Sequence, residues 1–525
     1  MKKGLLFLTL LFLVGFGCNV FYTQKGPQPS SQSFETINPV AAEKHLAFLA
    51  SDSLLGRDTP SPGLELAAEY IAGRFAEYGV QPVNDSYFHN FNLSQVSLGD
   101  SNTLELIDAS GKTKAFRIKR DYMPYGMTAN GKTLAPVVFA GYGISAPEYD
   151  YDDYAGLDVK GKVVFVFKRG PQQENPASPF HLKKDSHYLQ AKYKIDNAIE
   201  HGAAAVLITS DPLHSISLKP RGFAWPSLYK FIPDNALPFT LAMEEDEKIP
   251  SIQVGKKVIQ SLFGSVDELK SIQKSIDSTM TPNSYPLDSR ALLQTSTDRQ
   301  LFPTRNVVGL LKGSDPAVQD EVVVIGAHYD HVGFIRNAPA EQDSIYNGAD
   351  DNASGTTGVL LAAHAFAHNE IKPGRSILFI AFAGEEKGLY GSKAYTETPL
   401  FPLEKTVAMF NMDMIGRNHP DSLTLIGYKR SPDLSKIVKK QNKKVGLTLA
   451  YDREFYFGNS DHASFARKDI PVIFFCTKET PDLHKVTDHA DKIDYHKLCR
   501  VVRLLYLSAW YTANMDERPV LTSKN

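Results

Sequence analysis

Short apolar runs, each followed by polar residues, recur through the second half of the chain. Residues 322–325, 377–382, 407–410 and 472–475 have the length and composition of buried strands. Histidine or acidic residues follow the carboxyl end of each run. Open parallel sheets bind ligands beyond the carboxyl ends of their strands, so the pattern predicts an α/β domain with a site at that edge.

The polar residues that follow these runs form a ligand set typical of zinc, which prefers imidazole and carboxylate. The candidate ligands are His328, Asp350, Glu386, Asp413 and His484. Two imidazoles and three carboxylates suffice for two ions that share one bridging carboxylate. Glu385, the neighbour of a ligand, is then free to act as a general base on water. The pattern therefore predicts a two-metal hydrolytic site.

At these residues the chain resembles the co-catalytic di-zinc aminopeptidase family, whose members include aminopeptidase Y and plasma glutamate carboxypeptidase. The resemblance implies that His328 and Asp413 hold one zinc ion and that Glu386 and His484 hold the other. It further implies that Asp350 bridges the two ions and that Glu385 is the base. The fold it implies is a mixed, mostly parallel central sheet flanked by helices.

Further residues complete the resemblance. Asp330 is expected to hydrogen-bond His328 and so fix its tautomer, and Asp351 is expected to shape the backbone beside the bridge. Residues 458–462 also resemble a family motif, without an assigned role. His489 competes with His484 for the metal, and the spacing to Asp488 favours His484.

Other histidines and the cysteines carry less weight. His364 and His368 are four residues apart on a predicted helix, but no glutamate follows the first, so we expect surface or packing roles. Three cysteines in 525 residues do not form a disulfide framework. A bridge between Cys476 and Cys499 remains open.

The amino terminus has the pattern of an export signal. Lys2 and Lys3 precede an apolar stretch too short to span a bilayer comfortably, and Cys18 ends a segment that resembles a bacterial lipobox. We predict a signal over residues 1–18 and a polar tether over residues 19–36. The expected location is the periplasm or cell exterior, with membrane contact only through lipid on Cys18. A plain secretory signal is the alternative.

Helical spacing and composition outline the remaining organisation. Ser61-Pro62 begins a helix that Gly79 ends, within a first catalytic segment over residues 37–133. Residues 134–289 resemble an inserted, β-rich protease-associated domain without a metal-ligand cluster. The second catalytic segment, residues 290–525, carries the site. A formal net charge of −2 with dispersed cations argues against a nucleic-acid partner.

The sequence thus predicts a zinc-dependent exopeptidase with two zinc ions and a peptide substrate, foremost an aminopeptidase. Dipeptidase or carboxypeptidase activity is the first alternative, because the same metal site serves different specificity pockets. A glutaminyl cyclase and a non-catalytic, receptor-like scaffold are further alternatives. The oligomeric state is not predicted.

Overall fold

A computed structural model describes residues 28–182, 186–215, 217–220, 236–242 and 248–522. The predicted signal and Cys18 lie outside these residues. The chain divides into two compact units. The flanking unit combines the chain up to Phe91 with the chain from Thr304 onward, and the inserted unit is Asn92–Pro303.

The helices and strands are numbered in chain order. The helices are α1 (Ser31–Glu35), α2 (Pro39–Leu49), α3 (Pro62–Tyr78), α4 (Ala191–Glu200), α5 (Lys256–Phe263), α6 (Val266–Thr279), α7 (Gly355–Ala367), α8 (Tyr390–Glu397), α9 (Pro432–Asn442), α10 (His462–Ala466) and α11 (Tyr495–Ala513). The strands are β1 (Phe88–Leu98), β2 (Thr103–Asp108), β3 (Thr113–Phe116), β4 (Tyr122–Pro124), β5 (Gly131–Ala140), β6 (Ser145–Ala146), β7 (Tyr151–Asp152), β8 (Val163–Phe167), β9 (Ala205–Thr209), β10 (Thr240–Leu241), β11 (Ser251–Val254), β12 (Ser284–Thr295), β13 (Thr297–Leu311), β14 (Val322–His328), β15 (Ser376–Phe382), β16 (Thr406–Met412), β17 (Ser422–Ile426), β18 (Thr448–Ala450) and β19 (Val472–Cys476).

The flanking unit is built on a mixed, mostly parallel sheet, as predicted. Its strands follow the order β13-β15-β14-β16-β19-β17-β18. The central strands β15, β14, β16 and β19 are parallel, whereas β13 pairs antiparallel with β15 and β17 pairs antiparallel with β19. The carboxyl ends of the four central strands therefore meet at one edge.

Both faces of this sheet are buried, which explains why the central strands read as continuous apolar runs. Along β14, Val323 and Ile325 face one hydrophobic core, and Val322 and Val324 face the other. This alternation follows from the two-residue period of a strand. The first core also holds helices α2, α3, α7 and α11.

Helix α3 shows how local signals fix an element. The Ser61 side chain accepts a hydrogen bond from the N–H of Leu64, and Pro62 occupies the first turn. Gly79, with φ +79°, ends the helix in the left-handed region that glycine tolerates. The predicted start and end are both confirmed.

The inserted unit carries its own sheet, in the order β3-β2-β12-β5-β8-β9-β11-β4. Strands β5, β8, β9 and β11 are parallel, and hydrophobic cores cover both faces. This unit extends beyond the predicted insert of residues 134–289 because β12 pairs with β2 and β2 pairs with β3, both upstream of residue 134.

Two further predictions concern the tether over residues 19–36 and a bridge between Cys476 and Cys499. Helix α1 lies within the predicted tether, and its Ser33 is buried and accepts a hydrogen bond from Tyr506 at 3.0 Å. Cys476 and Cys499 are both buried free thiols, so no bridge forms between them. Among the described residues, no helix combines the length and apolar character needed to cross a membrane.

Candidate metal centre

Parallel pairing brings the candidate ligands together at the carboxyl edge of the flanking sheet. His328 is the last residue of β14 and lies beside Phe382, the last residue of β15. Glu385 and Glu386 follow β15 by three and four residues, and Asp413 directly follows β16. The strand ends therefore deliver imidazole and carboxylate groups to one place, as the sequence predicts.

Within the described residues, these side chains form two groups that could each hold a metal ion. His328, Asp351 and Asp413 form the first group. His331, Asp351, Glu386 and His484 form the second. The donor atoms of each group lie within 4.8 Å of one another, and Asp351 belongs to both. A carboxylate shared between the two groups could contact an ion in each.

The shared carboxylate is Asp351, which corrects the prediction of Asp350. One oxygen of Asp351 lies 3.4 Å from His328 Nε2, and the other lies 3.1 Å from His484 Nε2. Asp350 belongs to neither group, and its Oδ1 instead accepts a hydrogen bond from the N–H of Gly416 at 2.8 Å. The physical reason is local. The turn at residues 349–354 has non-helical dihedrals at Asp351, and this backbone conformation points the Asp351 carboxylate at the other ligands.

Two buried side chains hold this turn in place. The Arg57 guanidinium donates to the carbonyls of Asn347 at 2.8 Å and Gly348 at 3.0 Å. The Asp488 carboxylate accepts hydrogen bonds from the N–H groups of Asp350 and Asp351 at 3.0 and 3.1 Å. The sequence indicated Asp488 only through its spacing from His484, and in the folded chain Arg57 and Asp488 together hold the backbone around the shared ligand.

The Nδ1 atom of His328 has a backbone partner rather than the predicted one. It lies 3.2 Å from the carbonyl oxygen of Asp330, whereas the Asp330 carboxylate is 3.6 Å away, beyond hydrogen-bonding distance. That carboxylate accepts instead from the N–H of Glu385 at 3.1 Å. Asp330 therefore orients His328 through its main-chain carbonyl and Glu385 through its carboxylate.

Ser460 gives the motif at residues 458–462 a role that the sequence analysis did not assign. Its hydroxyl donates to Oδ2 of Asp413 at 2.8 Å and accepts from the side-chain amide of Asn411 at 2.8 Å. The other oxygen of Asp413 then faces His328 Nε2 at 3.3 Å. Periodicity did not reveal this contact, although the motif itself was a signal.

The structure separates His484 from its competitor His489. Nε2 of His484 lies 3.1 Å from Asp351 and 3.0 Å from Glu386, whereas His489 lies outside both groups and pairs with Asp343 at 3.1 Å. His331, which the sequence pattern did not indicate, is a member of the second group. His364 stacks on Tyr78 at a ring distance of 4.3 Å, which confirms its packing role.

The carboxylates of the centre stabilise positive charge. Burial would lower the pKa of His328, but the carboxylates of Asp413 and Glu385 outweigh burial and raise this pKa well above its ordinary value. Hydrogen bonds to Asp351 and Glu386 raise the pKa of His484 to about 11. The centre therefore favours cations at two points.

The pKa values of the two adjacent glutamates are shifted in opposite directions. Burial would raise the pKa of Glu386, but hydrogen bonds with His331 and His484 lower it to about 2. Burial raises the pKa of Glu385 well above its ordinary value, although the nearby His328 opposes this shift. One glutamate is thus held as a ligand anion, while the other has the raised pKa of a group that exchanges protons.

Buried polar atoms without hydrogen-bond partners test whether metal ions fit these groups. Nε2 of His328 and Oδ1 of Asp413 are such atoms, and they face each other at 3.3 Å. Leaving buried donors and acceptors unpaired is costly, and a cation between them removes that cost. The donor chemistry is that of zinc, so the residues fit the predicted metal.

Two family models match parts of this chain. Residues 306–508 match the model of peptidase family M28, and residues 132–262 match that of the PA domain. A probable leucine aminopeptidase of Trichophyton verrucosum is 24% identical over 61% of this chain and 88% of the relative. A probable zinc metalloprotease of Pyrenophora teres is 38% identical over 24% of this chain, and this match spans 26% of the relative.

A solved aminopeptidase from Aneurinibacillus sp. strain AM-1 aligns with most of the chain. It is 21% identical and has a TM-score of 0.49, and the alignment covers 94% of this chain and 98% of that structure.

Proposed function

We propose that this chain, whose residues 306–508 match the model of peptidase family M28 and whose residues 132–262 match that of the PA domain, is a two-zinc aminopeptidase. The observation that carries the proposal is the pair of ligand groups that share Asp351. The names of two relatives, a probable leucine aminopeptidase and a probable zinc metalloprotease, support the reaction class.

The first zinc ion would be held by His328 and Asp413, the second by Glu386 and His484, with Asp351 between them. When bound, the ions would act as Lewis acids toward water and the substrate carbonyl. The remaining chemistry falls to side chains of this chain. Asp330, Ser460 and Asp488 are placed to keep the ligand atoms oriented, as hydrogen-bonded partners of ligands do in other metal sites.

Glu385 would be the general base. Its carboxylate lies 3.9 Å from Nε2 of His328, at the edge of the first group, and remains partly exposed. It would accept a proton from the attacking water and deliver it to the amine that leaves when the peptide bond breaks. Its raised pKa supports this cycle, because the group must hold the proton between the two steps.

Substrate selection is tested by comparing blocked and free peptide ends. The purified full chain should release leucine from a leucyl anilide and from leucyl peptides, and N-acetylation of either substrate should abolish the reaction. Equal turnover of N-acetylated peptides, with release of the carboxyl-terminal residue, would favour the carboxypeptidase alternative. Cleavage of dipeptides alone would favour the dipeptidase alternative.

Zinc stoichiometry separates the remaining alternatives. We expect about two zinc ions per chain and loss of activity on chelation. One tight ion together with cyclisation of a glutaminyl peptide would favour a cyclase. Absence of bound zinc in protein purified with zinc present would favour a receptor-like scaffold.

The proposed location is outside the cytoplasm, on a lipid anchor at Cys18. Acyl chains contribute roughly 0.8 kcal/mol per buried CH₂, so their loss is visible by membrane fractionation. Replacing Cys18 with Ser should move the protein from the membrane fraction to the soluble or unprocessed pool. Unchanged processing and fractionation of Cys18→Ser would contradict the anchor and favour a plain secretory signal.

A further inference from the structure

His331 is a fully buried imidazole at the centre that the two-ion scheme leaves without a role. Its Nδ1 atom lies 2.9 Å from Oε1 of Glu386 and 3.9 Å from Oδ2 of Asp351. Its ring is 5.6 Å from the ring of His484. The imidazole therefore faces the same point as the three side chains assigned to the second zinc ion.

The backbone fixes this orientation without metal. The N–H of His331 donates to the carbonyl of Arg57 at 3.1 Å. On the other side the ring packs on Gly348, where an added Cβ would lie 2.5 Å from Cγ of His331. Gly348 also has φ +56°, so a larger residue is disfavoured there on two grounds. The ring is thus clamped between Gly348 and the ligands.

We propose that His331 is a fourth protein ligand, which binds the second zinc ion through Nδ1; this inference rests on the proposed two-zinc function. The two oxygens of Glu386 support the assignment. Oε1 faces His331 at 2.9 Å and Oε2 faces His484 at 3.0 Å, so the carboxylate lies between two imidazoles. Asp351 completes a set of two imidazoles and two carboxylates around one point.

The proposal makes the two zinc ions unequal. The first group offers three protein side chains, whereas the second offers four. Zinc sites with four protein ligands are closed and structural, and sites with three keep a position open for water or substrate. We therefore assign substrate contact mainly to the ion at His328 and tighter retention to the ion at His331.

The direct test is the crystal structure of the zinc-loaded full chain, with both ions located by anomalous scattering. The proposal requires Nδ1 of His331 about 2.0–2.1 Å from the second ion. An Nδ1 atom that instead donates to Glu386, and lies beyond bonding distance of the ion, would overturn it.

Zinc competition with a chelator tests the same inference in solution. His331→Ala should weaken one of the two ions by more than the roughly 10–100-fold that loss of a ligand's hydrogen-bonding partner costs. His331→Gln keeps a hydrogen-bond donor for Glu386 but removes the imidazole, so it should not restore affinity. Restored affinity in His331→Gln would mean that His331 only positions Glu386, and would overturn the proposal.

A matched control and the wild type separate this inference from the proposed function. His489→Ala, near the centre but outside both groups, should keep both ions at wild-type affinity. If the wild type binds no zinc, the two-zinc function itself fails. If the wild type and His331→Ala bind two ions equally well, only the assignment of His331 fails.

Discussion

Oδ1 of Asp351 lies 3.4 Å from Nε2 of His328, while the other oxygen of the same carboxylate faces the second ligand group. One buried side chain thereby connects the two halves of the centre. Its neighbour Asp350 is also buried but points its Oδ1 at the main chain of Gly416. This difference between adjacent acids is the basis of the first prediction.

Asp351→Asn should disturb both zinc ions, whereas Asp350→Asn should leave both in place. Asn at 351 keeps the side-chain volume but replaces one anionic oxygen with an amide that cannot bind zinc. At position 350 burial raises the pKa of the acid to about 8, so an uncharged amide is a close substitute. Elemental analysis after dialysis measures both. Loss of zinc in Asp350→Asn with retention in Asp351→Asn would favour Asp350 as the shared ligand.

The sequence predicted the sheet, the strand ends and the helix α3 because these follow from regular periodicity and caps. It did not resolve Asp350 from Asp351, since side-chain direction has no fixed period in the irregular turn at residues 349–354. His331 was not predicted as a ligand for the same reason. It lies three residues beyond the end of β14, where strand alternation no longer applies.

Contacts between distant segments were the other part that periodicity could not supply. Ser460 reaches Asp413 across 47 positions of sequence, and Asp488 reaches the turn at Asp351 across 137. Only the resemblance drew attention to these segments. His484 and His489 likewise lie in a loop. The spacing to Asp488 favoured His484 as the ligand, and the contacts of His484 with Asp351 and Glu386 assign it.

His484→Ala should weaken binding of the second zinc ion, and His489→Ala should not. His484 Nε2 contacts both Asp351 and Glu386, while His489 pairs with Asp343. Zinc content after gel filtration gives the comparison. Loss of one ion in His489→Ala would contradict this geometry and favour His489 as the ligand.

Ser460→Ala should weaken zinc at the His328 group by about 10–100-fold, because Asp413 loses the hydrogen bond that orients it. Ser464→Ala is the matched control: Ser464 lies four residues further along the chain and is also buried, but its hydroxyl pairs with Ser392. Competition with a chelator measures both affinities. Equal affinities in the two variants would remove Ser460 from the metal site.

The stability of the flanking unit should fall in acid through His45. Burial, with help from nearby cations, lowers the pKa of His45 from 6.5 to about 4, and its two ring nitrogens pair with Tyr70 and Tyr78 at 2.8 and 2.9 Å. The unfolded chain binds a proton at this residue below pH 6.5, whereas the folded chain does so only near pH 4. Stability therefore decreases as pH falls through this window, by about 3 kcal/mol.

Chemical unfolding of the zinc-free protein at pH 7 and pH 4.5 measures this effect. His45→Gln keeps a side chain that can pair with either tyrosine but does not titrate in this range. The variant should lose less stability than the wild type between the two pH values. Identical losses would show that His45 does not carry this pH dependence.

Zinc content and turnover of a leucyl substrate, measured together on Glu385→Gln, test the central claim most directly. Gln keeps the shape of the side chain but does not accept a proton as a carboxylate does. We expect two retained zinc ions and a fall in turnover of at least about 10²–10⁴-fold, the usual contribution of general acid–base catalysis. In Glu386→Gln, by contrast, binding of zinc at the second group should weaken. Near wild-type turnover of Glu385→Gln with both ions bound would contradict the assignment of Glu385 as the base.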